Sequence, residues 1–156
     1  MRRIEALLAD YGAHHRTRGN LACHAAGISL IVFGALSMLH AIPIRGTLTA
    51  SEALLAAAFL FYLTLDVPLA FAVVGVAGCL DLAARALGRP AWGAAAFVVG
   101  WVFQAVGHAV YEKNSPAFFR NLIHLLVGPA YLVNEAFRLR REGPVVDSSP
   151  RGAAGR

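Results

Sequence analysis

The sequence predicts an all-α integral membrane protein: four transmembrane helices, an N-terminal interfacial helix, and a broken, tilted or re-entrant C-terminal helix. Three observations predict it. Hydrophobic residues make up 58% of the 156 residues and charged residues only 15%, where a soluble domain carries about a quarter charged. The apolar residues come in long runs, and Leu21 to Ile44 contains no charged residue, which exceeds the roughly 20 residues that cross a bilayer. The basic residues gather at the chain ends and in the loops between runs, with Arg2, Arg3, Arg16 and Arg18 first and Arg138, Arg140 and Arg141 last. That distribution suits anionic headgroups. A net charge of +5 without a basic helix carrying interleaved aromatics gives no case for nucleic acid.

Each element has its own signal. Near the N-terminus, Ile4, Leu7, Leu8 and Tyr11 recur at helical spacing against Arg2, Arg3, Glu5 and Asp10, an amphipathic pattern that can lie in the membrane interface. Gly19 breaks it, and Asn20 is the expected N-cap of the first span, about 21–42. Pro43, Arg45 and Gly46 end that span. The second, 51–65, has Glu52 in its first turn, where a carboxylate suits the helix dipole. Asp66 and Pro68 mark a turn and a new start, so the third span covers 67–87. After Gly88, Arg89 and Pro90 the fourth covers 91–111. Ser115 and Pro116 open a fifth apolar helix, 117–139, interrupted by Gly128 and Pro129. A single membrane domain thus covers 1–142, and the Pro-, Ser-, Gly- and Arg-rich stretch 143–156 reads as a disordered tail.

Leu21 onward is too long for a signal-peptide core and no small-x-small cleavage pattern follows, so it is expected to be retained as a span. Cys23 and Cys79 are far apart inside apolar runs and suggest small packing residues, not a disulfide framework or a CxxC site. If all five helices cross, the Lys and Arg residues divide evenly between the two sides. If the fifth does not fully cross, the trailing arginines join the N-terminal side and the positive-inside rule holds.

Polar groups inside spans are costly and usually functional. Tyr11 and His15 are four residues apart, as are Asn20 and His24, Gln104, His108 and Glu112, and Arg120 and His124. That spacing puts each set on one helix face. The up-and-down order of the spans brings the end of the fourth back to the face where the first begins. His15, His24, His108 and His124 therefore converge in depth, while His14 points elsewhere and His40 belongs at the opposite face. A lone histidine at a helix end is more often an interfacial residue, but four on one face favour a site. Imidazole suits iron, zinc, copper and nickel, and a carboxylate hardens a site toward iron. Glu112 either contributes a ligand or moves a proton, or else pairs with Lys113 or Arg120. Asn20, Gln104 and Tyr11 are placed to orient ligands by hydrogen bonds. Spacing by itself does not name the metal.

The pattern Tyr11, His15, Asn20, His24, Gly27 resembles the opening motif of the Mpo1-like family. A second block, Trp101, Gln104, Gly107, His108, Glu112, Lys113, Pro116 and Ala117, is similar to that family's second motif, and Pro129 and Glu135 fit its closing segment. The resemblance covers roughly 5–137. It departs at Ser29, where the family often has Pro. It implies an Fe(II)-dependent dioxygenase that cleaves a long-chain 2-hydroxy fatty acid between C1 and C2, with neither 2-oxoglutarate nor haem. His15, His24 and His108 carry over as metal ligands, with His124 as a further candidate. Glu112 and Tyr11 become the catalytic candidates, and Arg120 and Arg16 would steer the substrate carboxylate. The partners implied are the 2-hydroxy acid, dioxygen and membrane lipid. The acyl chain is expected between helices, where Ala94 to Ala96 leave room.

Two other classes compete: a zinc-dependent lipid hydrolase using the same histidines, and a non-enzymatic scaffold or transporter subunit. By resemblance, a desaturase-type di-iron site needs paired histidine motifs with more than the six histidines present here. Richness in Ala, Gly and Arg points to a bacterial inner membrane, with the endoplasmic reticulum as the eukaryotic equivalent.

Overall fold

The computed structural model describes residues 3–13, 17–112 and 123–139, and the 143–156 tail, His14, Ser115 and Pro116 lie outside them. Among the described residues, six α-helices form a bundle: α1 (Arg3–Ala13), α2 (Arg18–His40), α3 (Ala50–Leu63), α4 (Val67–Leu87), α5 (Pro90–Val106) and α6 (His124–Phe137). Between α2 and α3 lies a short antiparallel hairpin, β1 (Pro43–Arg45) and β2 (Leu48–Thr49), turned at Gly46 with φ 58°. A single π-helical turn, Gly107–Glu112, closes α5.

Among the described residues, three stretches are long and apolar enough to cross a membrane: Arg18–His40, Val67–Leu87 and Pro90–Tyr111. The expected second span is the exception. At 14 residues, α3 is about 21 Å long, against a hydrocarbon core of about 30 Å. Caps close it in at both ends. At its start the Glu52 carboxylate accepts the Thr49 N–H at 2.7 Å and the Thr49 hydroxyl. Just past its end, Asp66 caps α4 by accepting the Leu69 N–H at 3.1 Å. α6 is equally short at 14 residues and runs on through Pro129, where a break was expected.

α2 and α5 pack antiparallel along a seam of glycines. Gly27 faces Gly100 and Gly34 faces Gly93, and a β-carbon at Gly27 would stand 2.8 Å from the Gly100 carbonyl oxygen. Both pairs lie seven residues apart, the spacing that keeps one seam in contact along two helices. Small residues let two backbones approach where lipid gives no hydrophobic drive for association.

The amphipathic helix α1 does not turn its apolar stripe to lipid. Ile4, Leu8 and Tyr11 are buried in one cluster with Tyr62, Leu69, Val73, Val127 and Tyr131. The Tyr62 hydroxyl donates to the Leu126 carbonyl at 2.7 Å and ties α3 to α6. At the opposite end of the bundle, Arg85 of α4 bridges Glu52 of α3 and Asp81 on its own helix, each at 2.6 Å.

Candidate functional site

The site begins with how α2 starts. Its N-cap is Thr17, one turn earlier than expected, and the Thr17 hydroxyl accepts the Asn20 N–H at 3.2 Å. Asn20 is therefore not the cap but a first-turn residue with its side chain wholly buried. Asn20, His24 and Gly27 then follow at helical spacing on the α5-facing side, and all three are buried.

α5 returns to meet them. Gln104 and His108 are buried, and between them Gly107 closes against α2. A β-carbon at Gly107 would collide with Asn20 Oδ1 and stand 3.3 Å from His24 Nδ1, so any larger residue would displace the Asn20 side chain. The π-helical turn begins at this residue, and such turns are frequent at functional sites. The His24 and His108 rings meet edge to face with centroids 4.8 Å apart. Tyr11 of α1 stands 6.4 Å from His24, also edge-on, and 5.0 Å from Tyr131 of α6.

Chemistry follows from the hydrogen bonds. His24 Nδ1 lies 3.0 Å from the Asn20 backbone carbonyl. A carbonyl only accepts, so Nδ1 donates this bond, and in the neutral ring Nε2 is the nitrogen suited to bind a ligand. A backbone carbonyl in this role is a common way to fix a metal-binding imidazole. Among the described residues Gln104 Nε2 has no hydrogen-bond partner, although the residue is only 7% exposed. A buried amide donor of this kind calls for a water or a ligand group. Burial, reinforced by the Tyr131 phenol, raises the Tyr11 pKa well above the usual tyrosine range. Tyr11 is accordingly a lasting O–H donor, not a base.

Of the residues singled out in the sequence, the structure gathers Tyr11, Asn20, His24, Gln104 and His108. His40 stands at the far end of α2 beside the Thr49 hydroxyl, 3.4 Å away. Glu112 ends the π-helical turn and His124 opens α6. His15, Arg16 and Arg120 lie outside the described residues. Among the described residues, no group of three or more His, Cys, Asp or Glu side chains is arranged to hold a metal. Two buried imidazoles, one with its Nδ1 engaged by the Asn20 carbonyl, nevertheless suit part of a metal ligand set. The sequence reading missed the seven-residue glycine repeat that sets the spacing of the pair. Its signal was present in Gly27 and Gly34 against Gly93, Gly100 and Gly107.

Residues 1–139 match the family model described as "Mpo1-like: 2-hydroxy-palmitic acid dioxygenase Mpo1-like". The chain is 29% identical over 140 residues to a Saccharomyces cerevisiae protein named 2-hydroxy-palmitic acid dioxygenase MPO1, covering 83% of this chain and 76% of the yeast one. No solved structure matches.

Proposed function

This chain belongs to the Mpo1-like family, and on that premise we propose that it is an Fe(II)-dependent dioxygenase that shortens long-chain 2-hydroxy fatty acids by one carbon. The observation that carries the proposal is the buried His24–His108 imidazole pair, 4.8 Å between centroids. His24 Nε2 and His108 would hold the iron together with His15, and His124 or Glu112 would complete the set. When bound, Fe(II) supplies the one-electron chemistry that ground-state dioxygen requires, and it is a site that a 2-hydroxy carboxylate can chelate.

The protein's own residues bind, orient and move protons. The Asn20 carbonyl holds the His24 tautomer. Gln104 Nε2 is a buried donor for a substrate oxygen. Tyr11, kept protonated by burial, donates a second hydrogen bond, and Arg120 and Arg16 draw the carboxylate toward the site. With His124 completing the ligand set, Glu112 receives the proton of the substrate hydroxyl. One 2-hydroxy acid and one dioxygen account for every atom of the shortened acid, carbon dioxide and water. The substrate supplies all the electrons, so no second reductant is needed. The enzyme works in a membrane that it crosses more than once, of the bacterial inner-membrane type.

The test is metal analysis and oxygen uptake of detergent-purified protein, kept anaerobic, reconstituted with Fe(II) and given 2-hydroxypalmitate, with the shortened acid read by mass spectrometry. Iron-dependent uptake with that product supports the reading. Stoichiometric zinc without uptake would replace it with the hydrolase, and no metal under any condition would refute both.

A further inference from the structure

A groove of about 280 Å³ opens between α2, α4 and α6. These three helices all lead away from the face that carries His24 and His108, because α3 and α5 are the returning ones. On α2 the lining residues include Ala25, Ile28 and Val32, one face of the helix, and α4 and α6 add Ala77, Leu132 and Ala136. Ser29 is the lone hydroxyl in the lining, and it donates to the Ala25 carbonyl at 2.8 Å. The groove therefore offers a hydrocarbon wall. The Ala94 to Ala96 stretch, expected to leave room for an acyl chain, is not part of it.

Ile28 joins the groove to the imidazole pair. It follows His24 by four residues on the same helix face and also lines the groove. Opposite it is Gly128 of α6, where a β-carbon would stand 3.0 Å from Ile28 Cδ1 and 3.1 Å from the Tyr11 hydroxyl. The α6 backbone thus packs closely on Ile28 and on Tyr11 of the site, where the groove ends. From Ala25 to Val32 the groove follows α2 for about 10 Å at the helical rise, in the direction a chain takes when its headgroup lies at the membrane face.

We propose that this groove holds the acyl chain of the 2-hydroxy acid and that Ala77 and Ala136 set the room for its distal half. The proposal rests on the dioxygenase reading for the headgroup. A chain moving from lipid into the groove exchanges one hydrocarbon for another and gains no net hydrophobic energy. What the groove contributes is orientation: it aims the carboxylate end at His24 and His108.

A 2-hydroxy fatty acid carrying a mid-chain diazirine, photolysed with the metal-free protein in nanodiscs, tests this without turnover. Peptide mapping should find adducts on Val32, Ala77, Leu132 or Ala136, and Ala77→Phe or Ala136→Phe should remove them. Adducts on the outer α5 residues Val98 and Val102, or equal groove labelling by a diazirine phospholipid, would overturn the proposal. In the iron-loaded enzyme each variant should lower the long-chain to medium-chain ratio of kcat/KM by about tenfold or more. An unchanged ratio in two folded variants would also overturn it. Groove labelling without oxygen uptake would discard the reaction and keep the groove, whereas uptake with labelling elsewhere would discard the groove alone.

Discussion

His24 and His108 meet edge to face, 4.8 Å between ring centroids, although one lies near the start of the first long helix and the other in the π-helical turn that closes the last. Gly107 makes the approach possible by leaving its side-chain space to Asn20 and His24. The pair depends on helix packing as much as on the imidazoles themselves.

On the proposed dioxygenase function, removing either ring should remove the iron. His24→Ala and His108→Ala should each lower bound iron by more than about tenfold, the least that loss of a ligand-orienting partner costs, and abolish oxygen uptake. His40→Ala, beside Thr49 at the other end of α2, should keep both. Elemental analysis of the three purified variants checks this, and iron retained in both site variants would rule the pair out as ligands.

The glycine seam predicts a separate stability effect. A β-carbon at Gly100 would lie 2.7 Å from the Gly27 carbonyl oxygen, while one at Gly75 would meet nothing within 4 Å. Gly100→Ala should cost about 1–3 kcal/mol by overpacking. Gly75→Ala should be neutral or stabilise by up to about 1 kcal/mol through helix propensity. Thermal unfolding in detergent separates the two.

The Arg85 bridge should show coupling. Asp81 has a side chain only 5% exposed, and without Arg85 its carboxylate is left buried and uncompensated. Arg85→Ala should lower the unfolding temperature more than Arg85→Ala combined with Asp81→Asn. An additive double variant would mean that the bridge contributes nothing.

Tyr11 gives a pH dependence. Its pKa is raised in the folded protein, so the unfolded chain ionises first as pH rises. Stability from this group is fully present below the unfolded value of 10.0 and is lost above it. The unfolding temperature should fall more steeply above that pH in the native protein than in Tyr11→Phe. Tyr11→Phe should also slow turnover by about tenfold, the loss of one hydrogen bond of about 1.5 kcal/mol to the reacting substrate. Stopped-flow oxygen uptake across pH reads that effect.

Much was legible in the sequence because bilayer crossing is a one-dimensional property. Leu21 to Ile44 reads as a span from length and composition alone, and the Asp66 and Glu52 signals fell where α4 and α3 begin. The four-residue spacing placed Asn20 with His24, and Gln104 with His108, on common helix faces. Helix order put those faces at one end of the bundle.

The tertiary structure decided what one dimension does not carry. The capping box at Thr49 and the turn before Asp66 limit α3 to 14 residues, although the helix is apolar beyond Glu52. Asn20 became a buried wall of the site because Thr17 took the cap. The apolar stripe of α1 went to α6 and not to lipid, since periodicity shows that a helix has an apolar face but not what covers it. The distance between His24 and His108 was set by glycines seven residues apart on two helices. Periodicity fixes which way a side chain points from its own axis, but only packing fixes how close two axes come.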